Sequence, residues 1–269
     1  MFVAVFSSMF EKEIKEYEAL LRLYRQKVTD RMSLDDLKEY NEILFSAHSC
    51  AIEGNSFSVN DTRELKEKGL GVIPQGKTLF EAFEILEHFK AYEYLFSRTE
   101  GPLTEELLKQ THQILMEHTL PYKCPGAQAG MYTESDMCAG DTIFGEHEKL
   151  IERVPKLLAS TQQAIQAGNV HPVVLAARFH GFFEYLHPFR DGNGRIGRLF
   201  SNFILHKMGH PILIIRQESK EEYINALRLI RLEGTDEHLI SFFFQTTLQR
   251  MTSEMEEKQK LGKPMLFCF

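Results

Sequence analysis

His187-Pro188-Phe189-Arg190-Asp191-Gly192-Asn193-Gly194-Arg195-Ile196-Gly197-Arg198 is the stretch on which the reading of this chain turns. Its glycines, Gly192, Gly194 and Gly197, have the spacing of a dinucleotide-binding loop. That spacing carries meaning only between a strand and a helix of a parallel α/β unit. The residues before it repeat apolar side chains at helical intervals (Leu175, Phe179, Phe182, Leu186), and no alternation of strands and helices runs through the sequence. The dinucleotide-fold reading is therefore set aside in favour of another kind of anion site. Glycines let backbone N–H groups point into a concavity, and the helix that follows turns its positive end toward it. Arg195 and Arg198, three apart in the first turn, share one face. Cations at that end oppose the helix dipole, at about 0.3–1 kcal/mol each. On a chain with 31 basic and 38 acidic residues, net charge −7, two such arginines beside a glycine loop imply a bound polyanion. The planar fork of arginine matches phosphate. Asp191 would repel a bare phosphate but suits a divalent cation that bridges phosphate oxygens. His187 adds a group that takes a proton near neutral pH. A capped helix start with solvent-facing arginines explains any one of these residues, but not the set.

Outward from this segment the chain reads as helices. Periodic apolar positions and caps predict helices from Ser33 to about Gly54, from Thr78 to Ser97 (Phe80, Phe83, Leu86, Tyr94 and Leu95 inward) and onward from Thr104. Others follow over 147–167, 173–186, a segment through Leu199, Phe203 and Ile204 that Gly209-His210-Pro211 stops, 220–231 and 238–257. Between Cys124 and Gly145 the period fails at Gly126, Gly130, Gly140 and Gly145, which predicts a loop and a short hairpin. The expected fold is all-α, a helical bundle with one hairpin, divided into an N-terminal helical region (1–100), a core (101–250) and a C-terminal helical tail (251–269). At 269 residues and 43% hydrophobic the chain can bury a sizeable core. Its acidic balance argues against a nucleic-acid partner, and no run approaches the roughly 18 apolar residues of a membrane span. Met1 to Phe10 makes a poor signal peptide, with no Lys or Arg before its apolar residues. Cys50, Cys124, Cys138 and Cys268 are scattered and read as free thiols, so the expected location is cytoplasmic. His206 and His210 are spaced like a metal pair, but the flanking Gly209 and Pro211 favour surface or capping roles. Cys138 reads as a half-buried thiol, and Phe179, Phe182 and Phe183 as core.

The segment resembles the motif of the Fic family, H-x-F-x-[D/E]-G-N-G-R-x-x-R, at every defined position, and the similarity extends over roughly 35–247. The resemblance implies an all-α core with a β-hairpin flap that clamps an extended segment of a target protein. It implies transfer of AMP from ATP, with Mg²⁺, to a hydroxyl of that protein. His187 would deprotonate the hydroxyl and Asp191 would hold Mg²⁺. Asn193 and the backbone of Gly192 and Gly194 would grip the inner phosphates, Arg195 and Arg198 the outer ones, and Tyr223 would lie near the nucleotide. Members that transfer a γ-phosphate carry lysine where this chain has Gly194. The flap would span about Gly130 to Phe144, with Met137, Cys138, Ala139 and Gly140 docking the target. Two positions depart from the family: Gly130-Met131-Tyr132-Thr133 lacks an arginine found after the flap-entry aromatic, and Arg231-Leu232 falls where some relatives place an adenine-contacting asparagine.

Glu53 is a second misplaced charge. It ends the helix begun at Ser33, so its carboxylate stands at the negative end of that dipole and is better off beside a cation. Arg198 is misplaced in the complementary sense. Ser49, Glu53 and Gly54 also match the family's inhibitory motif, [S/T]-x-x-x-E-[G/N], which implies that Glu53 occupies Arg198 and excludes the ATP γ-phosphate. Three functions therefore stand open: an autoinhibited adenylyltransferase, a de-AMPylase in which Glu53 positions water, and a non-catalytic nucleotide-binding adaptor. A homo-oligomer is compatible with each.

Overall fold

The computed structural model describes residues 9–71, 73–139 and 142–261. Eleven helices of four residues or more occur among them: α1 (Glu11–Lys27), α2 (Leu34–Ile52), α3 (Val59–Lys68), α4 (Leu79–Phe96), α5 (Glu105–Leu115), α6 (Leu120–Lys123), α7 (Leu150–Ala167), α8 (Pro172–Leu186), α9 (Asn193–Lys207), α10 (Lys220–Glu233) and α11 (Glu237–Leu261). Side-chain caps set several starts. Ser33 accepts from the Asp36 N–H, Thr104 from Leu107, and Ser58 and Thr78 each form a reciprocal box with Asp61 and Glu81.

The pair α8 and α9 forms the centre. Ten of the fifteen residues of α8 and twelve of the fifteen of α9 are buried, so both are wrapped on all sides. Side chains from α1 (Tyr17, Leu21, Tyr24) and α11 (Phe243, Phe244, Met251) join the same core as Ile196 and Phe200. A buried ion pair, Arg250–Glu254 at 2.7 Å, ties α11 to its neighbours. Glu254 accepts from the hydroxyls of Tyr24 on α1 (2.6 Å) and Tyr40 on α2 (3.0 Å), while Arg250 donates to Asn41 Oδ1 (2.6 Å). The start of α2 is therefore bolted to the bundle.

In α4 the buried face differs from the expected one. Phe80, Phe83, Leu86 and Tyr94 are only partly buried, and the core side is Ala82, Ile85, His88, Phe89, Tyr92 and Leu95. Buried Glu84, Glu87 and His88 interrupt the apolar period and displace its reading. Phe182 is 47% exposed, unlike Phe179 and Phe183, and the thiol of Cys138 is exposed where a half-buried one was expected. Cys268 lies outside the described residues. His206 packs against Phe96 (centroids 5.3 Å apart), and His210 Nδ1 hydrogen-bonds the Tyr17 hydroxyl at 2.9 Å.

Between α6 and α7 the backbone forms a two-residue ladder, β1 (Cys138–Ala139) antiparallel to β2 (Thr142–Ile143), in register Cys138↔Ile143 and Ala139↔Thr142. The connecting residues, Gly140 among them, lie outside the described set. The base of the ladder is pinned to the end of α8: the Gly145 N–H donates to Tyr185 O at 3.0 Å and the Thr133 N–H to Pro188 O at 2.8 Å. A Cβ at Gly145 would lie 3.2 Å from Leu186 Cα, so this close approach of two backbones favours glycine.

Candidate active site

The loop between α8 and α9 is built from within. Asn193, 2% exposed, spends its side-chain amide on one residue: Oδ1 accepts from the Phe189 N–H at 2.9 Å and Nδ2 donates to Phe189 O at 2.7 Å. That side chain staples the loop, leaving only the backbone of Asn193 for a ligand. His112 supports the loop from below. Its Nδ1 accepts from the Gly130 N–H at 2.8 Å, so Nε2 carries the proton donated to Asp191 O at 2.9 Å, and its ring stacks on Phe189 at 3.7 Å. Burial lowers its pKa to about 4, which keeps it neutral. Gly192 takes a left-handed φ of 78°, where a Cβ would also lie 2.8 Å from Met116 Sδ. The first bond of α9 runs from the Ile196 N–H to Gly192 O, so the N–H groups of Asn193, Gly194 and Arg195 precede any intrahelical partner. This is an anion-accepting helix end.

An internal anion stands at that end. Glu53 closes α2, and its Oε1 accepts from Arg198 Nη2 at 2.7 Å. The same oxygen covers Gly194, where an added Cβ would clash with it. Arg198, 4% exposed, also donates to Ser49 O (2.8 Å) and Ser49 Oγ (3.1 Å), and its Nη1 lies 3.4 Å from the Tyr223 hydroxyl. Burial works against its charge, but the neighbouring Glu53 and Tyr223 hold its pKa above the ordinary value. Past Gly54 the chain is clamped again, as Asn55 Nδ2 donates to Glu81 O and to Glu84 Oε2, both at 3.0 Å.

Glu53, Gly194, Arg198 and His187 line one cavity of about 480 Å³, which also reaches Tyr223, Tyr185 and Arg231. That volume is within the usual range for small-molecule sites. His187 follows the last residue of α8 at φ 48° and is the sole non-glycine residue with positive φ among the described residues. Phe144, just after β2, stacks on its imidazole at 3.7 Å. Glu184 Oε2 lies 3.5 Å from His187 Nδ1.

Asp191 Oδ1 accepts from the Gly192 N–H at 2.7 Å, while Oδ2 is buried without a hydrogen-bond partner, 3.6 Å from Lys123 Nζ and 3.7 Å from Arg195 Nη2. Burial raises its pKa, but Arg195 and Lys123 hold it below the ordinary carboxylate value. An orphaned carboxylate oxygen fits a cation whose other ligands come from phosphate and water; no cluster of three metal-binding side chains occurs among the described residues.

Of the residues expected at the phosphates and near the nucleotide, Arg195 lies outside the cavity and Tyr223 lies in its wall. Arg195 is 1% exposed and does not line the cavity. It lies behind the loop, with Nη1 3.6 Å from Glu84 Oε1, bracing Asp191 against α4. The Tyr223 ring is 1% exposed and its hydroxyl, 2.6 Å from His180 Nε2, backs Arg198. Of the expected docking residues, Met137 accepts through its sulfur from Arg190 Nη1 at 3.2 Å, and its carbonyl accepts from the Phe144 N–H at 2.9 Å. Cys138 and Ala139 form β1. Arg231 covers Phe144, with its guanidinium 4.5 Å from the ring, and donates to Glu184 O at 2.6 Å. Sequence reasoning missed His112, Glu84, Lys123 and Glu184. Only Glu184 left a signal, its three-residue spacing from His187.

The helical fold that carries this loop is shared with known proteins. Residues 102–205 match the Fic/DOC family. A protein adenylyltransferase Fic from Nematostella vectensis is 31% identical over 187 residues, covering 67% of this chain and 41% of that protein. Its counterpart from Culex quinquefasciatus is 28% identical over 225 residues, covering 81% and 42%. A Fic-domain-containing signaling protein from Bacteroides thetaiotaomicron superposes with a TM-score of 0.77 at 21% identity, covering 97% of this chain and 99% of that one. Fic-1 from C. elegans gives 0.74 at 22% identity, covering 95% and 75%. The chain is a Fic (Fido) domain protein. It spans about two fifths of the length of the curated relatives it matches.

Proposed function

We propose that this protein is an adenylyltransferase that moves AMP from ATP to a hydroxyl side chain of a target protein, and that Glu53 restrains it. The observation that carries this reading is the Glu53 carboxylate, 2.7 Å from Arg198 and above Gly194, in one cavity with His187. An oxygen anion of the protein thus sits where the helix end and guanidinium would receive a phosphate oxygen. The relatives named as protein adenylyltransferases support the reaction class.

In the reaction the hydroxyl oxygen bonds to the α-phosphorus, the bond from that phosphorus to the bridging oxygen breaks, and pyrophosphate leaves. His187 takes the hydroxyl proton. The backbone N–H groups of Asn193 and Gly194 and the guanidinium of Arg198 hold phosphate oxygens, so catalysis is positioning and charge stabilisation. Asp191 would hold Mg²⁺, which neutralises phosphate charge when bound. Asn193 through its side chain, Arg195 and Tyr223 act by fixing these groups. The ladder of β1 and β2, anchored to Tyr185 and Pro188, is the flap that would pair with an extended target segment. A cytoplasmic setting is consistent with this chemistry, and no helix among the described residues is long and apolar enough to cross a membrane.

The test is incubation of wild type and Glu53→Gly with ATP labelled at the α-phosphate in a cell lysate. Stronger labelling by the variant supports the reading. No labelling by either points to the adaptor, and release of AMP from a pre-labelled target by wild type points to the reverse reaction.

A further inference from the structure

Neither motif accounts for a second carboxylate in the cavity wall. Glu184 lies one turn before His187 on α8, with Oε2 3.5 Å from the imidazole Nδ1. The left-handed backbone of His187 ends the helix there. Phe144 covers the ring face at 3.7 Å, which limits the ring to in-plane choices. With Nδ1 turned to Glu184, Nε2 is the nitrogen left to the cavity. Burial pushes the Glu184 carboxyl up, but His187, His180 and Arg198 around it bring it below the ordinary value, so it is ionised. The spacing of 3.5 Å is an ion-pair distance, and hydrogen bonds of catalytic bases are commonly long outside the reacting complex.

The third glycine of the 187–198 segment belongs to this arrangement. A Cβ at Gly197 would lie 2.7 Å from His180 Nδ1 and 3.1 Å from Glu184 Oε1. Glycine there admits both side chains against α9. His180 in turn holds the Tyr223 hydroxyl at 2.6 Å, and that hydroxyl meets Arg198. The other charged groups around the cavity are Glu53 on α2, Arg198 on α9 and Lys220, Arg228 and Arg231 on or at the start of α10. Cations outnumber Glu53 there, which disfavours an imidazolium. Glu184 is the carboxylate that offsets them.

We propose that Glu184 is a positioning residue: its carboxylate accepts the Nδ1 proton of His187, presents Nε2 to the attacking hydroxyl, and stabilises the imidazolium formed when Nε2 takes the hydroxyl proton. The catalytic part rests on the adenylyltransferase reading; the tautomer and the ionisation do not.

The test has two arms. Nitrogen-15 NMR of the wild-type imidazole, assigned with His187→Ala, reads the tautomer and the titration directly. The expected result is a neutral ring protonated at Nδ1, and an apparent pKa that drops by about 1 unit or more in Glu184→Gln. In the Glu53→Gly background, Glu184→Gln should lower kcat at pH 7 by at least about tenfold. It should also move the acid limb of the profile to lower pH and leave the KM for ATP within about twofold, with partial rescue by Glu184→Asp. A neutral wild-type ring protonated at Nε2 overturns the proposal, and needs no variant to fold. So does a Glu184→Gln chain with an unshifted titration. If Glu53→Gly transfers no AMP but the NMR results hold, the function reading fails and the positioning of His187 stands.

Discussion

Replacing Glu53 with glycine removes one carboxylate from a guanidinium that stays buried. Arg198 is 4% exposed and the Glu53 side chain 35% exposed, so the pair, at 2.7 Å, is sheltered on one side only. Losing one partner of a fully buried pair costs about 3–5 kcal/mol. Solvent screening at Glu53 lowers this to about 2 kcal/mol. Arg198 keeps Ser49 O at 2.8 Å and Ser49 Oγ at 3.1 Å, so it remains aimed at the cavity. At about 2–4 °C per kcal/mol for a chain of this size, the variant should melt about 4–8 °C below wild type. The same free energy now favours an incoming anion. A competitor worth 2 kcal/mol corresponds to about 30-fold in affinity, so Glu53→Gly should bind ATP about 30-fold more tightly. Calorimetric titration and melting with and without saturating ATP and Mg²⁺ read both numbers, and ATP should raise the variant's melting temperature more than the wild type's. Equal ATP affinities, or equal ATP-induced shifts, would refute the account of Glu53 as an occupant of the phosphate site.

Further outcomes are expected, measured in the Glu53→Gly background where transfer is at issue. His187→Ala should lose about 10²–10⁴-fold in labelling rate while calorimetry shows ATP still bound. Asp191→Ala should lose the Mg²⁺-dependent part of ATP affinity and keep the part measured in chelator. Asn193→Ala frees the buried N–H and C=O of Phe189, which should cost about 2–3 kcal/mol in urea unfolding and weaken ATP binding together with it. Acid should destabilise the fold in a defined window. Burial lowers His112, His180 and His210 to about 4, so between about pH 6.5 and 4 the unfolded chain binds more protons than the folded one. Stability should therefore fall as pH drops through that window, and a flat urea midpoint from pH 7 to 4 would contradict it.

What the sequence discloses here depends on how local the cause is. Caps at Ser33, Thr78 and Thr104 act within three residues, so helix starts could be read from the chain alone. The opposed charges of Glu53 and Arg198 were legible because each conflicts with its own helix, and the pairing followed from sign. Side-chain direction was not legible. Asn193, Arg195 and Tyr223 belong to the 187–198 segment or stand beside it, but their partners are the backbone of Phe189, Glu84 on α4 and His180 on α8. Those contacts exist only once distant elements have packed. Helix α1 escaped the periodicity because its fully buried residues are three, Tyr17, Leu21 and Tyr24, in an otherwise charged segment. Helix α3 escaped likewise, with only Thr62 and Leu65 buried.

The fastening of α2 has a kinetic consequence. Tyr40 and Asn41 secure one end to the Arg250–Glu254 pair, and Asn55 secures the chain just beyond Gly54. Between these fixed points the chain is buried apart from partly exposed His48 and exposed Glu53 and Gly54, so at the cavity it is the side chain of Glu53 that has solvent to swing into. Vacating Arg198 thus requires rotation about a few single bonds, a matter of nanoseconds or less for a half-open side chain, with no displacement of backbone. Under the proposed function, occupancy of the guanidinium would then be set by how two anions compete for it at equilibrium, with no opening of the backbone to wait for.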